Sequence, residues 1–546
     1  MTEASPSHPW DRRLGFWWIA EDHPEALAIA ASPEGVFTYG ELAGRAHQLV
    51  HLFRSLGAAP GAPVAVMARN GVTLVEASLA CHESGLHMIP LNTHLSAHEL
   101  GVILRHSGAR VLIVDAAFAS VLDGIELKRG EPDDSNLAVL TVGEVEGRTS
   151  LQVARADHPT TLPNGRCQGG LFVYTSGTTG HPKGIRRPLR DGDVGALANE
   201  AAVFGRAFDF RPFDGPMLVS TGMFHGGSHA YYMGGLNVGH ALVIMERFDA
   251  EATLAAIEAQ RIRSGYMVPT QFHRLLQLPD DVRSRYDVSS LHSIVHSAAP
   301  CPRAVKEQMM AWWGPVVWET YGGVEGAATI AKPAAWLEHP GTVGRAVKGV
   351  RLTILDEDGA ELPPGEVGHI YVDNGVGFTY HDDPEQTDSV FRGSRFSLGD
   401  MGYLTEDGYL FIADRAKDMI ITGGTNVYPA EIEAVLLDHP DVHDVAVIGV
   451  PDPDWGETVS AVVQVAAGRD WDDTIETGLV EHCRERLASY KVPRRWFVAD
   501  ELPRTEAGKL AKRALREQFA SPTLVLSRES SGNPEDSRDR TGAGGS

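Results

Sequence analysis

The chain has 546 residues, 43% hydrophobic and 22% charged, with 72 acidic against 48 basic side chains and a formal charge of −24. That length exceeds one ordinary hydrophobic core, so two or more domains are expected. The acidic balance argues against a nucleic-acid-binding surface, which needs a basic stripe, although a phosphate ligand needs only local positive charge.

Met1 to Ala20 carries early acidic residues and no apolar core of signal-peptide length. No run approaches ~18 consecutive apolar residues, so no membrane-spanning helix is expected. Cys81, Cys167, Cys301 and Cys483 lie far apart, with no zinc or redox spacing. Free thiols in a reducing compartment follow, and with them a soluble, cytoplasmic protein.

Thr38-x-x-Glu41 reads as a capping box opening a helix through about Leu56. Pro63 to Arg69 reads as a strand, Val72 to Leu86 as a helix and Met88 to Leu91 as a short strand. Ser96-x-x-Glu99 opens a helix to about Ser107, before the buried strand Val111 to Val114. Strands alternating with helices at this spacing imply a parallel, helix-covered sheet, hence an α/β fold. His82-Glu83-Ser84-Gly85-Leu86-His87 imitates a zinc-protease motif, but its second histidine falls at i+5, off the helix face that i+4 would share. Residues 158–169 read as a linker between subdomains.

Leu171-Phe172-Val173 reads as a buried strand leading into Tyr174-Thr175-Ser176-Gly177-Thr178-Thr179-Gly180-His181-Pro182-Lys183-Gly184. Thr175, Ser176, Thr178 and Thr179 supply hydroxyls, Gly177 and Gly180 let a backbone approach an anion closely, and Lys183 adds a mobile positive charge. The ligand such a stretch fits is a polyphosphate. It is not a Walker A loop, because Pro182 and Gly184 stand where that pattern needs glycine and Ser/Thr.

Pro216 to Ser220 reads as a strand before the turn Thr221 to Gly227, which holds Phe224-His225-Gly226. His225 suits either a core position or a substrate contact. Gly226-Gly227-Ser228-His229-Ala230 imitates a hydrolase nucleophile elbow but ends in alanine. Asp249 caps a helix over Ala250 to Gln260, and Tyr266 to Thr270 reads as strand and turn. Leu291 to Pro300 reads as a strand followed by a small-residue turn, Ser297-Ala298-Ala299-Pro300. Trp318-Glu319-Thr320-Tyr321-Gly322-Gly323-Val324-Glu325-Gly326 follows, then Phe396-Ser397-Leu398-Gly399-Asp400, a turn before the hairpin Tyr403 to Phe411.

Ile412-Ala413-Asp414-Arg415-Ala416-Lys417-Asp418 precedes Gly423-Gly424-Thr425-Asn426-Val427-Tyr428-Pro429, where Pro429 starts a helix burying Ile432 and Leu436. Strands at Val445 to Val450, Val459 to Val465 and Arg495 to Val498, with a helix from about Thr477 to Ala488, form a separate α+β unit. Pro503-Arg504-Thr505-Glu506-Ala507-Gly508-Lys509 closes it, and beyond about Phe519 the composition is that of a disordered tail.

Six of these segments, in this order, resemble those of the adenylate-forming (AMP-binding) superfamily across about residues 15–517, in its acyl-CoA synthetase branch. The resemblance implies a large, multi-subdomain N-terminal AMP-binding domain (1–414), a hinge (415–418) at Lys417, a small mobile α+β domain (419–518) and a tail (519–546). It implies that 175–180 and Lys183 bind the ATP phosphates, with Thr179 and Glu325 on Mg²⁺. Ser297, Ala298, Ala299, Pro300, Glu319, Thr320, Tyr321, Gly322 and Ile412 would surround the nucleotide, Asp400 would take the ribose hydroxyls, and Arg415 ribose or phosphate oxygens. His225, Gly226, His229, Tyr231, Ser297, Gly322 and Gly323 would form the acyl pocket, with His225 close to the chemistry, and Gly423 and Gly424 would line the CoA channel.

Lys509 would carry the first half-reaction, holding a carboxylate and an α-phosphate together. Val324 stands where the family has threonine, and Asp414 where it often has glycine, with little effect expected from the latter. The implied activity is an ATP-dependent acid–CoA ligase acting on a fatty, steroid or bile-acid-like carboxylic acid, with ATP, Mg²⁺ and CoA as cofactor and co-substrates and a homodimer as a possible assembly. Loading of a carrier-protein phosphopantetheine, a luciferase-like oxygenation and plain nucleotide binding are the alternatives.

Overall fold

The computed structural model describes residues 9–125, 137–175, 183–415, 418–422, 425–452, 455–504 and 509–519. The chain divides into two compact units between Ile412 and Ala413, within the strand Tyr409–Arg415.

In the large unit, the described residues form an 8-stranded and a 14-stranded sheet. The first runs Thr379–Tyr380, Lys183–Arg186, Gly170–Thr175, His87–Pro90, Pro63–Met67, Val111–Asp115, Ala138–Val142 and Thr149–Ser150. Its pairings from Gly170–Thr175 to Thr149–Ser150 are parallel, as the strand–helix alternation predicts. At the other edge Gly170–Thr175, Lys183–Arg186 and Thr379–Tyr380 turn antiparallel.

Local sequence accounts for the helices between these strands. Thr38 Oγ1 accepts from the Glu41 amide while Glu41 Oε2 accepts from the Thr38 amide at 2.9 Å, so the capping box forms and the helix runs Tyr39–Ser55. Ser96 and Glu99 do the same for Ala97–Ser107. The helix Val72–Ser84 stops two residues before the expected Leu86 because Gly85 takes a left-handed φ of 71°. The stretch 158–169, read from composition as a linker, is fastened along Tyr39–Ser55. Arg54 donates to the Asn164 and Gly165 carbonyls, and His47 and His51 reach those of Thr160 and Thr161.

The second sheet has a parallel core of Leu27–Ala31, Leu242–Ile244, Met217–Val219, Ser264–Met267, Ser293–His296 and Val317–Gly323, continued by antiparallel strands. One apolar cluster takes in residues of both sheets, Val64 and Ile113 with Met217 and Val295, and of the helices between them, Leu42 and Tyr231. Two expectations change here. Pro269 begins a helix, Pro269–Leu276, in place of a turn, as its fixed φ allows at a first helical position. Asp400 lies inside the strand Arg395–Leu404, not in a turn before it.

The small unit has a 5-stranded sheet among its described residues, with Val442–Asp452 and Gly456–Val465 as its long antiparallel pair. Pro429–Leu437 packs on it with Ile432 and Leu436 fully buried, and Asp473–Arg486 joins the same core through Leu479 and Cys483.

Candidate functional site

Thr175 ends one strand and Lys183 begins the next, directly opposite it in antiparallel register. Ser176, Gly177, Thr178, Thr179 and Gly180 lie outside the described residues, as does the side chain of Thr175. Lys183 is half-buried, and its Nζ stands 5.7 Å from the centroid of the Tyr380 ring. The Tyr380 hydroxyl donates to Glu325 Oε1 at 3.1 Å. Burial, reinforced by the Glu325 carboxylate, raises the Tyr380 pKa, so the phenol remains a donor.

Glu325 reaches this position on a hairpin. Val317–Gly323 and Gly326–Ala331 pair antiparallel, with Gly323 opposite Gly326, which leaves Val324 and Glu325 as the turn. A Cβ on Gly322 would fall 2.5 Å from the Gly326 carbonyl oxygen and 2.8 Å from Ala327 Cα, so glycine alone fits there. Val324 packs on the apolar group of Ile185, Ala328, Phe378 and Phe396, and its carbonyl accepts from Arg187 at 2.9 Å. That departure from threonine thus exchanges a hydroxyl for apolar packing at the base of the turn. Val324 Cγ2 and Val173 Cγ2 each lie 3.5 Å from where a Cβ on Gly226 would stand, so Gly226 faces the strand Gly170–Thr175 and the Glu325 turn together.

Tyr321, on the same hairpin, donates its hydroxyl to Asp400 Oδ2 at 2.8 Å. Asp400 is buried, and Tyr321 shares an apolar cluster with Ile412. Tyr321, Asp400 and Ile412, which are expected around the nucleotide, are therefore brought together. Thr320 turns the other way, bonding the Thr329 carbonyl at 2.7 Å.

Ser297 lies after the strand Ser293–His296, and its hydroxyl meets the Tyr266 hydroxyl at 3.0 Å. Tyr266 stacks on Tyr231 at 4.4 Å between centroids, and its oxygen would lie 3.0 Å from a Cβ on Gly227. Ala298 holds a left-handed φ of 76°, uncommon outside glycine, and Ala299 and Pro300 complete the turn toward the helix Arg303–Trp313. Just below, the fully buried Lys306 reaches Glu319 Oε2 at 2.6 Å, and His296 Nε2 stands 3.5 Å from the same oxygen. Burial pushes the Glu319 carboxyl up against the pull of Lys306, and burial with Lys306 pushes His296 well down. Glu319 is thus committed to Lys306.

His225 is the N-cap residue of Gly226–Asn237, half-buried, with its ring 4.3 Å from that of Phe224. His229 is buried against Val72–Ser84, where its Nε2 meets Ser78 Oγ at 2.6 Å and its ring stacks 5.7 Å from His82. Ser228 is also buried, its hydroxyl 2.8 Å from that of Thr221, which removes it as an elbow nucleophile. His82 and His87 separate onto a helix and a strand, and among the described residues no three His, Cys, Asp or Glu converge as a metal group.

In the small unit, Asp414 stands where the family often has glycine. It is buried, and its Oδ2 accepts from the Ala430 amide at 2.9 Å in the first turn of Pro429–Leu437. Lys417, Gly423 and Gly424 lie outside the described residues, as does the side chain of Arg415. Lys509 is half-buried, beside Leu510, which bridges Arg504. Tyr266, Tyr380 and Lys306 are the residues that sequence reasoning missed. Tyr266 stood in a strand pattern, Lys306 in a helical one, and Tyr380 in a polar stretch with no motif to mark it.

Residues 16–378 match the AMP-binding enzyme family, and residues 431–509 match the AMP-binding enzyme C-terminal domain. The chain is 34% identical to a feruloyl-CoA synthase of Amycolatopsis sp over 93% of its own length and 99% of that protein. It is 32% identical to the long-chain-fatty-acid–CoA ligase FadD13 of Mycobacterium tuberculosis, over 90% and 95%. Among solved structures, ATP-bound MatB from Rhodopseudomonas palustris superposes with a TM-score of 0.79 at 29% identity, covering 93% of this chain and 99% of that one.

Proposed function

This chain belongs to the AMP-binding enzyme family, among its ATP-dependent, AMP-forming acyl- and aryl-CoA ligases, and we propose that it activates a fatty, steroid or bile-acid-like carboxylic acid and passes the acyl group to CoA. It has that family's fold, a large N-terminal and a small C-terminal domain. No helix among its described residues is long and apolar enough to cross a membrane.

The observation that carries the reading is the hairpin Val317–Ala331. It sets Glu325 beside Tyr380 and Lys183 on one side and Tyr321 beside Asp400 on the other. ATP would place its adenine along Tyr321, its ribose toward Asp400 and its phosphates toward Lys183 and Glu325. Mg²⁺ is held by one or two carboxylates with substrate phosphates, and Glu325 offers such a hard oxygen at a half-buried turn, with Thr179 as its proposed second protein contact. The metal supplies charge neutralisation for the phosphates.

In the first half-reaction the substrate carboxylate attacks the α-phosphorus and pyrophosphate leaves. Lys509 bridges the two anions as they meet. In the second, the CoA thiol attacks the acyl-adenylate carbonyl and AMP leaves, with Lys417 as the pivot between steps. The acid enters past Gly226 and His225 toward Tyr266 and Ser297. The likeness to a fatty-acid ligase supports the aliphatic reading. An aryl acid is the second reading, supported by the stacked Tyr231–Tyr266 pair and the feruloyl relative.

The test is AMP release by the purified protein with ATP and Mg²⁺, across short, long, aromatic and steroid acids, with and without CoA. CoA-dependent turnover on a long-chain or steroid acid is expected. A pyrophosphate burst without CoA stimulation would replace CoA by a carrier protein, and turnover on aromatic acids alone would replace the aliphatic reading.

A further inference from the structure

Tyr380 touches the two residues on which the phosphate end of the site depends, and no motif assigns it a task. Its backbone is fixed from several directions. It pairs with Ile185 across the Lys183–Arg186 strand, its amide donates to Thr387 Oγ1 at 3.0 Å, and the next amide, His381, donates to the Gly184 carbonyl at 2.7 Å. Phe378 packs edge-on against its ring at 5.5 Å. A phenol held this firmly presents two surfaces. Its hydroxyl donates to Glu325 Oε1 at 3.1 Å, and its ring lies 5.7 Å from Lys183 Nζ, within cation–π range.

We propose that Tyr380 is a positioning residue for adenylate formation, which holds Glu325 and Lys183 in fixed mutual register and thereby sets the affinity of the site for magnesium-bound triphosphate.

The physical reason is preorganisation. Glu325 sits on a two-residue turn, where an unrestrained carboxylate would sample several rotamers and swing toward the cations Arg187 and Lys183. A donor on Oε1 leaves the carboxylate one orientation. Lys183 is a flexible ammonium whose attraction to Glu325 competes with the phosphates it should meet. The Tyr380 ring gives that ammonium an uncharged resting surface which phosphate oxygens displace at small cost. Tyr380 touches neither reacting atom and acts through the two residues it orients.

This inference rests on the ligase reading, and the test separates the two. Full-length protein and the variants Tyr380→Phe and Tyr380→Leu are titrated with ATP by calorimetry, with Mg²⁺ and with EDTA, beside thermal unfolding and ATP–pyrophosphate exchange run with long-chain, aromatic and steroid acids. Tyr380→Phe keeps the ring and should bind ATP in EDTA as the wild type does. The gain in affinity from Mg²⁺ should fall by about tenfold, the scale of one hydrogen bond to a charged group. Tyr380→Leu should lose that gain and also bind ATP in EDTA roughly threefold more weakly.

An unchanged Mg²⁺ gain in Tyr380→Phe would overturn the proposal. So would equal losses with and without Mg²⁺ that track a fall in unfolding temperature, since these mark packing alone. Wild type that binds ATP but exchanges pyrophosphate with none of these acids would sink the ligase reading while the binding comparison still judged Tyr380. Wild type that binds no ATP would remove both.

Discussion

Lys306 reaches Glu319 at 2.6 Å from a position with no solvent exposure, and its ammonium lies 4.7 Å from the Trp336 ring. The pair ties the helix Arg303–Trp313 to the strand Val317–Gly323, and thus the turn at 297–300 to the hairpin that carries Tyr321 and Glu325. Removing one partner of a buried pair strands the other charge, at a cost of about 3–5 kcal/mol. Lys306→Met should lower unfolding free energy in urea by that amount, while Lys306→Met/Glu319→Met should recover most of it. A double variant as unstable as the single one would show that the pair is not the source of the loss.

Buried histidines make the fold acid-sensitive. His87 and His240 are both 1% exposed, and burial holds each at about 4, while His82, His229 and His296 are also pushed down by burial. The unfolded chain binds protons at these positions near pH 6.5, the native one only well below it. Below that pH the unfolded state therefore holds more protons, and stability falls as pH falls from about 6.5 toward 4. Glu319 and Glu433, whose pKa values burial raises, oppose this in part. Unfolding free energies from urea titration at pH 7.5 and 5.5 should differ, with the midpoints, and His240→Asn should shrink the free-energy difference by ~1 kcal/mol. Midpoints equal at the two pH values would refute the account.

What the sequence made legible was whatever local chemistry decides. Asp249 Oδ1 accepts from the Ala252 amide, and the helix runs Ala250–Gln260 as its cap predicts. The order of strands and helices from Thr38 to Asp115 followed from hydrophobic period for the same reason, while the helix Phe16–Asp22 and the strand Leu27–Ala31 before it were not read. Residues defined by partners far along the chain were not legible. Glu319 belongs to Lys306 through a helix–strand contact, and Glu325 to Tyr380 across 55 positions. Asp400 reads as a turn residue because glycine precedes it, and it lies instead within the strand Arg395–Leu404, where pairing with Gly368–Asp373 shifts register beside the left-handed Gly399. His229 stood in a small-residue turn pattern, and the helix it joins turns its ring into the core.

Ala298 carries backbone strain in the turn 297–300, which is proposed to meet the nucleotide. A left-handed residue with a Cβ costs roughly 1–2 kcal/mol, and its φ of 76° is a conformation that glycine adopts freely. Ala298→Gly should therefore leave stability equal or raise it by up to about 1 kcal/mol, glycine's extra unfolded-state entropy taking back part of the gain. Ala298→Val should lower stability and raise KM for ATP, because a β-branched side chain tolerates this region poorly. Thermal unfolding and ATP–pyrophosphate exchange check both. A glycine variant as damaged as the valine one would show that the methyl group matters and the backbone does not.

Lys509 stands beside an anchored segment of the small unit. Arg504 donates to Asp444 at 2.7 and 3.1 Å, and the Ala511 amide donates to the Pro503 carbonyl at 2.8 Å. These bonds fix the chain on both sides of the lysine, so truncating its side chain should leave the backbone in place. Lys509→Ala should lower adenylate formation by about a hundredfold or more, the scale set by loss of one preorganised donor to a charged transition state. It should spare thioester formation from supplied acyl-adenylate and CoA. Lys417→Pro should do the reverse, sparing pyrophosphate exchange and stalling thioester release. If Lys509→Ala damages both half-reactions equally, the lysine serves the fold or general binding, and the role proposed for it in the first step is withdrawn.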